Sequence, residues 1–335
     1  MLRVRPAVDA DLDPLYELIL RSDDGLTSLK ITREQLQDRL ENSTFAFRRL
    51  SQKRTGLPYV FVMEDLDSGK VVGTSSIYAK VGGYEPFYAY KIEKSIHESK
   101  ELGVYREIDV LHLKKEHDGP TEIGSLFLSP EYWGKGNGKL LSLSRFLYMA
   151  EFPDRFDAFT IAEMRGVIDR QGRSPFWDAL GSHFFQMAFP RAVMLLTVSK
   201  NFVADLMPTH PIYLPLLPQD ARDVVGQVHQ DTRPALAMLQ KQGFTYQGFV
   251  DIFDGGPVVH ATTANIATIA QSRRYSLVRT AAVESQTLHV ASRPGSQYLA
   301  VIGRVEIHGD EVTLGPEMAD ALNLRIGDLV RIAPA

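Results

Sequence analysis

Between residues 126 and 149 the chain reads "LFLSPEYWGKGNGKLLSLSRFLYM", with three glycines alternating with Lys135, Asn137 and Lys139. Gly134, Gly136 and Gly138 put bare backbone between an apolar run that ends at Pro130 and a run whose Leu140, Leu141, Leu143, Phe146, Leu147 and Met149 fall on a helical stripe. A junction from strand to helix exposes unpaired N–H groups at the positive end of the helix dipole, which suits an anion and above all a phosphate. Lys135 and Lys139 add charge. The spacing fits neither common nucleotide loop. A P-loop reads G-x-x-x-x-G-K-[S/T], whereas here three residues separate Gly134 from Gly138 and Leu140 follows Lys139. A dinucleotide-binding loop opens the first βαβ unit, and this one comes after several strand-like runs.

Other chemistry is bounded by composition. The 335 residues include no cysteine, which removes disulfides, thiolate metal sites and thiol nucleophiles together, so histidines and carboxylates are left. No HExxH or comparable spacing appears, and no metal is expected. His97, Ser99 and Lys100 cluster without a third member for a catalytic triad. A net charge of -4 argues against a nucleic-acid partner or an anionic-membrane surface. No run of about 18 apolar residues occurs, and Asp9 and Asp11 interrupt the place where a secretory signal would be apolar. A cytoplasmic location is the expectation.

Several elements must position the glycine loop. "LRVRPA" predicts a strand, and Asp9 or Asp11 can cap the helix "DLDPLYELILRS". "YVFVMED" and "KVVGTSSIYAKV", parted by "LDSG", predict a hairpin, and "EIGSLFLSP" is the strand that feeds the loop. "SPFWDALGSHFF" and "RPALAMLQKQGFTY" each read as helix, glycine, aromatic strand, a faint internal echo. Beyond "QSRRYSLVRT" the sequence changes to short alternating runs, "LHVAS", "YLAVIGRVEI", "EVTLG" and "DLVRIAPA", which predict a small β module. Trp177, Phe176 and Phe184 read as packing residues.

With these elements in place, "SPEYWGKGNGKLL" resembles the pyrophosphate-binding motif R/Q-x-x-G-x-G/A of the GCN5-related N-acetyltransferase (GNAT) superfamily. Trp133 stands where that motif has Arg or Gln. A closer resemblance is carried by "GLTSL", "HESKELGVY", "AEMRGVID", "SPFW", "DLMPTHPIY", "GQVH" and "DIFDGGP", which together look like the arginine N-succinyltransferase family. The implied fold is α+β (mixed α/β), with tandem GNAT-like modules over 1–150 and 151–275 and a small barrel-like β module over 276–335. The implied reaction moves succinyl from succinyl-CoA to the α-amino group of L-arginine in arginine catabolism, by direct transfer in a ternary complex. The alternatives are a noncatalytic or weakly catalytic homologous subunit of a heteromeric enzyme, and acylation of ornithine or another basic amino acid. No tightly bound cofactor is implied, and a homo-oligomer or a hetero-oligomer with a homologous chain is expected.

The resemblance assigns a proton-donor role to His229 in "GQVH". CoA falls to Gly134, Lys135, Gly136, Asn137, Gly138 and Lys139, with a strand N–H near Leu126 to Leu128 for the thioester carbonyl. Arginine as acceptor asks for carboxylates against its guanidinium and donors against its carboxylate. Glu163 suits the amine or the guanidinium, and Arg165 suits either a substrate carboxylate or a pairing with a neighbouring acid. Asp251 and Asp254 are rivals for the guanidinium, although Asp before Gly-Gly is also turn chemistry. Either Arg145 or Arg165, if near the acyl tail, would favour a succinyl carboxylate.

Overall fold

The apolar, β-branched runs form the strands they predict. The computed structural model describes residues 1–21, 29–49, 53–82, 86–196 and 201–335; of "GLTSL" only Leu29 lies inside these ranges. Strand β1 (Leu2–Pro6) leads through α1 (Leu12–Leu20) and α2 (Arg33–Arg48) to the hairpin of β2 (Pro58–Asp65) and β3 (Lys70–Tyr78). "HESKELGVYREIDVLHL" belongs to a long second hairpin, β4 (Phe87–Ser99) with β5 (Val104–Glu116). Then come β6 (Thr121–Leu128), α3 (Asn137–Glu151) and β7 (Phe159–Glu163). A helical stretch follows: α4 (Pro175–Ala179), α5 (Gly181–Phe185), α6 (Phe189–Leu196), α7 (Asn201–Leu206), the short β8 (Ile212–Tyr213) and α8 (Gln219–Val224). Helix α9 (Arg233–Lys241), β9 (Thr245–Val250), β10 (Pro257–Thr262) and α10 (Ala267–Gln271) complete this part.

The sheet runs β1-β2-β3-β6-β7-β10-β9-β4-β5-β8. Residues 151–275 therefore contribute β7, β10, β9 and β8 to the sheet begun by residues 1–150 rather than a sheet of their own. The echo holds only in its second copy, where α9, Gly243 and β9 follow in order. In the first copy "GSHFF" is helix α5, because Gly181 packs against Trp177, where an added Cβ would lie 2.3 Å from the indole.

The C-terminal module is a small closed barrel of β11 (Arg273–Thr280), β12 (Leu288–Arg293), β13 (Leu299–His308), β14 (Glu311–Leu314) and β15 (Leu329–Pro334), with α11 (Pro316–Ala321) packed on it. β12 pairs with both β13 and β15, which closes the ring, and β13 joins β1 of the large sheet. Helix α3 lies under both bodies and is buried almost all round, from Leu140 to Met149. The Tyr298 hydroxyl of the barrel segment donates to the Ser144 carbonyl on α3. Glu151 at the end of α3 accepts from Arg274 at 2.6 Å and from Arg331 at 3.0 Å. Asp11 stands at the N-cap of α1, but its carboxylate takes Arg5 and the Val8 N–H instead of the helix amides.

Candidate active site

The central cleft starts from one parallel strand pair. β6 and β7 are in register only at Thr121 with Thr160 and Glu122 with Ile161, and beyond those pairs the two strands part. On the β6 side the ladder to β3 shifts between Thr74 and Ser76, and Ser125 takes a left-handed φ of 51°. Such a bulge takes backbone out of the ladder and re-aims it. Gly124, Ser125 and Leu126 then face Ala162, Glu163, Met164 and Arg165 across a cavity of about 1400 Å³.

The glycine loop sits at the far end of β6. Gly134, Lys135 and Gly136 all have positive φ, at 89°, 51° and 82°, a turn that glycine adopts without steric cost. Among the described residues the N–H groups of Lys135, Gly136 and Gly138 find no acceptor. A Cβ added at Gly134, Gly136 or Gly138 would meet nothing within 4 Å, so the concave backbone is open. Unpaired N–H groups around open space at the start of a 15-residue helix form an anion cradle. The Asn137 amide donates to the Tyr132 carbonyl at 2.9 Å and holds the turn in shape. The Trp133 indole N–H donates to the Leu128 carbonyl at 2.8 Å, so this residue fastens the loop to its strand. Leu128 is thereby a core and loop-fastening residue, whereas Leu126 lines the cavity.

Three motifs far apart in sequence converge at the end of β7. The His229 N–H donates to the Arg165 carbonyl at 2.8 Å, and the Gly226 N–H donates to the Gly255 carbonyl at 2.8 Å. The Asp254 carboxylate accepts from the Gly166 N–H at 2.7 Å and the Gly256 N–H at 2.8 Å. Gly256 is required by crowding: a Cβ there would lie 2.1 Å from the Met164 carbonyl. Thus "AEMRG", "GQVH" and "DGGP" are one structural unit. Asp254 does more than turn chemistry, because it ties the turn to the strand end. Burial and the neighbouring Asp251 carboxylate push Asp254 up to about 8, and burial also raises Asp251.

His229 is mostly covered, with 12% of its side chain exposed. Its Nδ1 accepts from the Asp231 N–H at 3.3 Å, which puts the proton of the neutral ring on Nε2. The Asp231 carboxylate lies 3.5 Å from the same nitrogen and faces it when the ring is protonated. One ring nitrogen is thus oriented by its own loop.

Glu163 and Arg165 line the same cavity, as do Asp251 and Asp254. The Arg165 Nε is buried and has no partner among the described residues. Two further wall residues, Ser125 at the bulge and Ser142 on α3, escaped the sequence reading, since a serine carries no spacing signal of its own. Arg145 also reaches this wall, and its signal was a charge set among Leu143, Phe146 and Leu147 on a buried helix. Trp177 and Phe176 are core residues, while Phe184 is 42% exposed and lies outside the packing assigned to it. His97 sits on the outlying hairpin, against Ser95 and Tyr213. Among the described residues no group of acids and histidines could hold a metal, and no helix is long and apolar enough to cross a membrane.

Comparison with known proteins agrees with this geometry. Residues 2–268 match the family described as arginine N-succinyltransferase beta subunit, and residues 273–334 match its C-terminal domain. An arginine N-succinyltransferase of Escherichia coli (strain 55989 / EAEC) is 40% identical over 99% of this chain and 97% of that protein. One from Shigella flexneri serotype 5b is likewise 40% identical over the same shares. The solved structure of arginine/ornithine succinyltransferase subunit AI from Pseudomonas aeruginosa has a TM-score of 0.92 at 34% identity, covering 100% of this chain and 98% of that one. A mixed α/β chain with an anion cradle, a splayed strand pair and a matching C-terminal barrel over its whole length belongs to the arginine N-succinyltransferase family.

Proposed function

We propose that this chain transfers the succinyl group of succinyl-CoA to the α-amino group of L-arginine. The observation that carries this reading is the joining of an open N–H cradle, through the bulged β6, to a cavity holding both acidic and basic side chains. Gly134 to Lys139 hold the CoA pyrophosphate, and the Leu126 N–H beside the bulge donates to the thioester carbonyl and then to its oxyanion. The arginine nitrogen attacks as the neutral amine, so its ammonium proton leaves first. The N–C bond forms and the C–S bond breaks; the protonated His229 ring gives its proton to the CoA thiolate and regains one from the proton that the new amide nitrogen sheds. With no cysteine in the chain, direct transfer within a ternary complex is the simplest course.

Glu163 meets the amine or guanidinium of the acceptor, and Arg165 meets its carboxylate. Residues 1–150 carry the CoA loop, residues 151–275 complete the acceptor side, and the barrel from about residue 276 packs against them. Cytoplasmic location and assembly with itself or with a homologous chain go with this reading, to which the subunit naming of the Pseudomonas relative lends support. The test is product identification: the purified chain with succinyl-CoA and arginine should yield arginine bearing one succinyl group at its α-nitrogen, by mass and fragmentation. Succinylation of the guanidino group, or absence of product with full recovery of succinyl-CoA, would overturn it.

A further inference from the structure

A buried guanidinium calls for an anion, since a charge taken out of water without a partner is costly. Arg145 is only 3% exposed, and every acceptor it reaches is neutral. Its Nε donates to the Ser142 carbonyl at 3.3 Å, its Nη2 to the Ser142 hydroxyl at 3.1 Å and its Nη1 to the Gly124 carbonyl at 3.5 Å. The less deeply buried Arg3, Arg5 and Arg331 each reach a carboxylate. Arg54 and Lys80, two other cations on the cavity wall, are engaged by Asp118 and Asp157. Arg145 reaches no carboxylate among the described residues. Burial alone depresses its pKa, with no acidic neighbour to oppose the shift, yet an arginine stays charged.

Its place in the cleft says which anion it suits. Arg145, Ser142, Gly124, Ser125 and Leu126 line one wall of the cavity, and Arg145 meets β6 at Gly124, two residues before Leu126. Two residues along a strand span about 7 Å. Two methylenes, a carboxylate and one hydrogen bond bridge a gap of that order. We propose that Arg145 receives the distal carboxylate of the acyl group and makes the enzyme choose a dicarboxylic acyl donor over a monocarboxylic one. This rests on the reaction proposed above. Arg165, the other candidate, is tied by its carbonyl to His229 on the opposite wall and is left to the acceptor.

The experiment compares kcat/KM for succinyl-CoA and butyryl-CoA, with arginine as acceptor, in the wild type and in Arg145→Gln. Butyryl-CoA keeps the four-carbon chain and lacks the charge. The succinyl to butyryl ratio should fall by about 10²-fold or more in the variant, as expected when a site loses the donor it uses for discrimination. Ser142→Ala, a smaller change that removes one hydroxyl from the guanidinium's support, should move the ratio the same way by roughly threefold. Equal losses with both donors, or an unchanged ratio, overturn the assignment. If Arg145→Gln does not fold, the Ser142→Ala ratio decides. A wild type that transfers neither group sinks the underlying reaction, and this is distinguishable from an active wild type whose preference ignores Arg145.

Discussion

The amide of His229 donates to the carbonyl of Arg165 at 2.8 Å, which locks the loop carrying the histidine onto the strand end that borders the cavity. That bond uses only backbone, so the imidazole can be removed without undoing it. His229→Ala should slow turnover by about 10²-fold or more, as loss of a general acid does, while CoA affinity stays within about twofold. Steady-state kinetics beside calorimetric CoA titration would check this. Full turnover in the variant would take His229 out of the mechanism.

Gly138 offers a cleaner probe of the cradle than Gly136. Gly136 has φ at 82°, so any side chain there strains the loop as well as filling the space. Gly138 lies within α3 without a positive φ, and its missing Cβ faces open space. Gly138→Ala should therefore hold or raise thermal stability, by roughly 0.5 kcal/mol, since alanine favours a helix. The same change should weaken CoA binding by about tenfold, because the methyl occupies the anion's approach. Parallel melting and binding measurements test the pair of signs, and undiminished CoA binding would contradict the cradle.

Asp254 sets a pH dependence. Its pKa in the folded chain is raised to about 8 by burial first and by the Asp251 carboxylate second. Between the ordinary aspartate value and about 8 the folded protein holds a proton that the unfolded chain has released. This contribution to stability is complete below the ordinary aspartate value and is lost as pH rises through about 8. The melting temperature should decline over that window, and Asp254→Asn should flatten the decline. A slope unaltered by the substitution would show that the pair is ionised throughout.

Glu151 couples the barrel to the helix that carries the cradle. Its side chain is 6% exposed and meets both Arg274 and Arg331. Glu151→Gln leaves Arg331, 13% exposed, without its carboxylate and should cost about 2–3 kcal/mol. Denaturant unfolding measures it, and a change under about 0.5 kcal/mol would mean that the pair is as weak as a surface one.

Local signals were legible where a residue acts through its own neighbourhood. The glycine loop, the strand before it, the β2–β3 hairpin and the C-terminal strands all follow from turn chemistry and periodicity. Contacts between distant segments left no such signal. Nothing in "GQVH" says that Gly226 meets Gly255, and nothing in "DGGP" says that Asp254 holds the Gly166 amide. "GSHFF" reads as glycine and strand until Trp177 fills the space beside Gly181. Among site residues, Glu163 ends β7, and only the pairing of that strand with the distant β6 brings it to the cavity. Trp133 was visible only as a departure from a motif, and its hydrogen bond to Leu128 shows what it does there.

The most direct test of the whole account is arginine-dependent thiol release by the purified chain, with succinyl-CoA offered against arginine, ornithine and lysine. The account predicts rapid release with arginine, lost in His229→Ala and accompanied by one succinyl group on the α-nitrogen of the product. No release above hydrolysis with any acceptor would contradict catalysis by this chain alone and would favour a subunit that works only beside a homologous partner.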